Sequence, residues 1–161
     1  MEIGYVLDFI YEVAYLIGVF SLFFLLAIFK GRQAIINIII GLYLALLISI
    51  EFPSYDTIFA GLDSSQSLSL AKLVLFAVIT FLTTLLCYRI MPDEFREKRF
   101  ESVGKKLLLA AAATILVMIF SFQVLPVTEF LTPGTPIQSL FAPDPYFFWW
   151  LVLPLVILYV V

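Results

Sequence analysis

An all-α, polytopic bundle of membrane helices is the fold class this sequence predicts, and three observations predict it. Of 161 residues, 63% are hydrophobic and 13% charged, with a mean hydropathy of +1.12. An ordinary soluble domain runs at about 45–50% apolar and about 25% charged, and it needs a polar shell that this composition cannot supply. Uncharged apolar runs recur at lengths near the ~20 residues that cross a bilayer. Basic residues crowd into two of the intervening loops, as topology signals do. Backbone amides cannot stay unpaired in hydrocarbon, so the runs must be helices. Residues 1–161 read as a single integral-membrane domain.

The elements follow in order. The first helix covers about 5–29, with the uncharged run Val13–Phe29 at its heart and Tyr5–Glu12 as a more polar extension. The second, about 34–51, is built on Ala34–Ile50. The third, about 70–91, is built on Leu73–Tyr88 and reaches across if Lys72 and Arg89 snorkel to the two surfaces. The fourth, about 105–125, runs through Leu107–Leu125 into Pro126. The last run, 146–161, has 16 residues, reaching about 24 Å against a ~30 Å core. Pro154 would kink it, and Trp149 and Trp150 favour the headgroup level. A short fifth span, a re-entrant segment and an interfacial helix all fit; a tilted or kinked fifth helix is preferred.

Eight of the nine basic residues fall in two loops on one side: Lys30 and Arg32, then Arg89, Arg96, Lys98, Arg99, Lys105 and Lys106. The other side keeps Lys72 with Glu2, Asp8, Glu12, Glu51, Asp56, Asp63, Glu129 and Asp144. The positive-inside rule places both basic loops in the cytoplasm and the N-terminus outside. Acidic residues precede the first apolar run where a signal peptide would be basic, so that helix is expected to remain as an N-out anchor.

Composition also bounds the chemistry. Histidine is absent and Cys87 is the one cysteine, which removes His-based triads, His or Cys-rich metal sites and an intrachain disulfide. The net charge of −3 argues against nucleic acid. The chain carries no Gly-rich phosphate loop, no metal-ligand spacing and no nucleophile elbow, so neither catalytic residues nor cofactors are expected.

Four polar features remain. On the second helix Gln33, Asn37, Gly41, Ala45 and Ser49 recur every four residues, a stripe that reads as helix packing, with Asn37 paired to Thr80 or Thr84 on the third helix. Ile and Leu then fill the lipid-facing positions, Ile39 among those off the stripe. Ala14, Gly18 and Ser21 form a similar face on the first helix, and Ala110–Thr114 on the fourth. The sharper alternative is a polar path between helices two and three. Asp8 and Glu12 share a face at the outer end of the first helix, expected to be wetted in the headgroup zone with Lys72 as partner. The loop 91–106, with Arg96, Lys98, Arg99, Lys105 and Lys106, reads as a lipid-facing signal held against anionic lipid. The segment 126–145 holds five of the eight prolines, so neither regular helix nor central strand is expected there, and its apolar residues fold it back onto the outer surface.

Taken in sequence, Leu7-Asp8, Lys30-Gly31, Gly41, Val103-Gly104-Lys105 and the aromatic run Tyr146–Leu155 resemble the colicin V production protein (CvpA) family of small bacterial inner-membrane proteins. The stretch from Asp8 to Gly31 is longer than that family's, Ile35 stands at an acidic position, and alanines replace glycines in the fourth helix. The resemblance implies about four membrane helices in the bacterial cytoplasmic membrane, a role in envelope homeostasis or toxin export, and no catalytic residue. The expected function is therefore a non-enzymatic multi-pass protein, embedded in lipid, possible as a homo-oligomer or beside a membrane partner. The alternative is a small transporter or channel subunit using the path between helices two and three.

Overall fold

A computed structural model describes residues 2–50, 65–91, 103–124, 136–141 and 144–161. Six α-helices follow one another: α1 (Glu2–Lys30), α2 (Arg32–Ile50), α3 (Ser65–Ile90), α4 (Val103–Ile119), α5 (Pro136–Phe141) and α6 (Asp144–Val160). No strand occurs among the described residues. Phe9–Lys30, Arg32–Ile50, Ser67–Ile90 and Val103–Phe122 are each long and apolar enough to cross a membrane. The protein is a multi-pass helical bundle.

A single residue separates α1 from α2. Gly31 has φ of +88°, the left-handed conformation that ends a helix most cheaply without a Cβ. α2 and α4 form the middle of the bundle. α3 packs along one side of α2, and α1 packs chiefly along α4, with α6 lying on α4 as well. The core joins Ile35, Ile39 and Leu46 of α2 to Leu109, Ala112 and Leu116 of α4 and to Phe23 and Ala27 of α1. Four consecutive small residues, Ala110–Ala113, keep α4 slim where it packs between its neighbours, and three of them are buried.

Two expectations about elements change, and the preferred helix in the last run is present. α4 does not run evenly into Pro126: at Phe120–Val124 it widens into a π-helical turn, a form that often marks functional sites. The proline-rich segment does contain regular helix, the six residues of α5. Pro136 is its first residue, where a missing N–H costs nothing and the fixed φ already suits the helix. The last run forms 17 residues of helix with Pro154 inside it, fully buried. The Tyr43 hydroxyl donates to the Leu151 carbonyl, tying α6 to α2 at mid-height. At its end, Arg32 Nη1 and Lys105 Nζ both donate to the Val161 carbonyl, at 2.9 and 3.1 Å. α6 therefore runs antiparallel to α4 and finishes at the same end of the bundle as the α1–α2 turn. That end is called basic below, and the opposite one far.

Candidate functional site: an apolar cleft and a buried carboxylate

The α2–α3 contact is the most extensive between helices among the described residues, and glycine lets it close tightly. A Cβ at Gly41 would collide with Thr84 Oγ1 and stand 3.0 Å from both the Thr84 Cα and N. The single Thr83 hydroxyl proton is shared among the Gly41 carbonyl across the interface, at 2.9 Å, and the Ile79 and Thr80 carbonyls of its own helix, at 2.9 and 3.0 Å. Such bonds in membranes are worth about 0.6 kcal/mol on average, so packing carries most of the contact. Asn37, Gly41, Ala45 and Ser49 are all buried and Gln33 is half-buried. At Gly41 and Thr84 the two backbones are too close for a solute to pass between them.

The pairing expected for Asn37 is not made. Gln33 Nε2 donates to Asn37 Oδ1 at 3.1 Å, while Asn37 Nδ2, Thr80 Oγ1 and Thr84 Oγ1 have no partner. Register explains it. α2 and α3 are antiparallel with Gly41 opposite Thr84, so Asn37, one turn nearer the basic end, lies level with Cys87 and Tyr88 instead. The hydroxyl that crosses belongs to Thr83, the neighbour that sequence spacing passed over. Two further expectations fail. Ile39 is fully buried, because α2 is covered by α4 as well as α3. Ala14, Gly18 and Ser21 are exposed, because α1 turns Phe23 and Ala27 toward its neighbours.

α1 and α3 sit on opposite flanks of the central pair, and a cleft of about 630 Å³ lies between them. Its floor includes Leu42, Phe76 and Phe120, the last two meeting edge to face with ring centres 5.7 Å apart. Phe23 lines the α1 wall, and Ala77 and Phe81, both exposed, mark the α3 rim. Tyr15, Thr80, Thr84 and Ser121 are its polar lining residues. Tyr15 and Ser121 pair at 3.1 Å across the cleft's α1–α4 wall. Ser121 gives its own proton to the Val117 carbonyl at 2.7 Å, so Tyr15 is the donor of the pair.

Glu12 lies one turn farther out on α1. It is 2% exposed and neither carboxylate oxygen has a hydrogen-bond partner. This replaces the expectation of a wetted headgroup carboxylate, and Lys72, half-buried on α3, does not pair with it. The side chain of Asp8 lies outside the described residues. The same holds for Arg96, Lys98 and Arg99, while Lys105 is exposed and engaged with Val161. Lys106 is not lipid-facing: it is 4% exposed, buried in the first turn of α4. No cluster of three or more metal-ligating side chains occurs among the described residues. Compared with known protein families, curated proteins and solved structures, the chain finds no match.

Proposed function

We propose that the protein is a non-enzymatic component of the bacterial cytoplasmic membrane that serves envelope homeostasis or export by seating a lipid acyl chain between α1 and α3. The cleft carries this reading. It is lined mainly by apolar side chains, and its rim residues Ala77 and Phe81 are exposed on the same flank as the apolar surface of α3. An acyl chain of the surrounding bilayer would extend that surface inward, and four hydroxyl-bearing side chains are too few to hydrate a solute pathway. The CvpA resemblance supplies the envelope setting, and the crowding of bases in two loops supplies the orientation, N-terminus outside. The contact at Gly41 weighs against a path between α2 and α3, which favours this reading over a transporter subunit.

Filling the cleft tests it. Ala77→Trp projects a large ring into the space, whereas Val78→Trp adds the same ring on the outer surface of α3. Native mass spectrometry of protein released from membranes should show retained phospholipid for wild type and Val78→Trp and its loss from Ala77→Trp. Equal retention in all three would remove the cleft as the lipid seat.

A further inference from the structure

We propose that Glu12 is a binding site for one unit of positive charge, either a proton or an alkali cation, at the far end of the α1–α4 pair. The argument is independent of what fills the cleft. Glu12 lies within the apolar span Phe9–Lys30, is almost completely covered and has two unpartnered oxygens. An unpaired carboxylate charge is costly in such a place, and a bound proton or cation offsets that cost. Ionisable side chains inside membrane spans are rare and mark ion or proton sites.

Among the described residues the base at this end is Lys72 of α3, half-buried, and it makes no hydrogen bond to Glu12. α5, which packs on α1, reads PIQSLF and carries no charge. α4 and its π turn carry no charge from Leu107 to Val124, and α2 none from Gln33 to Ile50. The bases of those helices, Arg32, Lys105 and Lys106, stand at the basic end, and two of them hold Val161. Lys30 is on α1 itself but 18 residues away, about 27 Å along the axis. The next polar group along this face of α1 is the Tyr15 hydroxyl. Tyr15, three residues on, shares its face of α1 and spends its proton on Ser121, leaving the phenol oxygen free to accept or to coordinate. Ser121 sits in the π turn, so the Tyr15–Ser121 pair ties α1 to α4 one helical turn from Glu12.

Dicyclohexylcarbodiimide tests the site on the full-length protein in sodium-free lipid vesicles. This apolar reagent takes the carboxyl proton onto its nitrogen and the carboxyl oxygen onto its carbon, then rearranges to a stable N-acylurea, so it marks protonated carboxyls within the bilayer. Peptide mass mapping should find the adduct on Glu12, and it should be absent from Glu12→Gln. Adding sodium chloride, with choline chloride as the ionic-strength control, separates the sources. Loss of label with sodium alone identifies an alkali-cation site, and label unchanged by sodium identifies a proton site. Glu12 unlabelled without sodium from mildly acidic to neutral pH, while the unfolded chain is labelled there at the acidic end, would overturn the proposal.

Discussion

At Gly41 a missing side chain decides how close two helices come. The Thr84 backbone lies where a Cβ would project, and backbone cannot swing aside as a side chain can. Gly41→Ala should therefore lower thermal stability in detergent, by about 1–3 kcal/mol as overpacking generally costs. Gly18 has nothing within 4 Å of its Cβ position, so Gly18→Ala should be neutral or stabilising by up to about 1 kcal/mol, since alanine is the better helix former. Equal losses for the two variants would show that α2 and α3 are not in contact there. The burial of Asn37, Gly41, Ala45 and Ser49 was legible because small and polar residues at one helical spacing stand out against Ile and Leu. The burial of Ile39 was not. In a membrane, lipid-facing and core-facing positions are equally apolar, so hydropathy loses the contrast it has in water. Glu12 escaped for a related reason: a span counted from the first uninterrupted apolar residue begins at Val13, just past it.

α6 shows how an element too short to be assigned by length is placed by its ends. Its last carbonyls carry the negative end of the helix dipole, and Arg32 and Lys105 supply cations there, worth about 0.3–1 kcal/mol each at exposed positions. Its first half is held differently, by Trp150 Nε1 donating to the Leu140 carbonyl at 3.1 Å and by the Trp150 ring 4.8 Å from that of Phe141. Replacing both cations, in Arg32→Gln with Lys105→Gln, should speed amide hydrogen exchange in the last turn of α6. Exchange around Trp150 should stay unchanged. Equal acceleration along the whole helix would mean that the basic end anchors all of α6. Neither cation could be matched to α6 from sequence, since partners 129 and 56 residues apart leave no local pattern.

For the whole molecule, the sequence identified helices but not their order in space. The four candidate spans are all strongly apolar, too alike to say which two occupy the middle. That order comes from shape, from the alanine run of α4 and the close-packed face of α2. Topology is the property both sources address. Reporter fusions after Lys30, Lys98 and Val161 should all read cytoplasmic, and a fusion after Asp63 should read external. An external signal at Val161 would contradict the antiparallel course of α6 and its contact with Arg32.

The one-residue link at Gly31 also bears on how the bundle is assembled during synthesis. Joined so tightly, α1 and α2 must enter the bilayer as one hairpin, with no loop long enough for either to cross and wait alone. The two then mature at different times. α2 meets α3 as soon as the next span emerges, whereas the main partner of α1, α4, is translated only after α3 and the loop that follows it. Until then α1 is tethered to a nearly finished α2–α3 pair with its own packing face still bare, and Glu12 goes into the membrane before Ser121 exists. α1 thus completes its packing only when α4 and then α5 reach it, and chaperoning by the insertion machinery matters most over that interval.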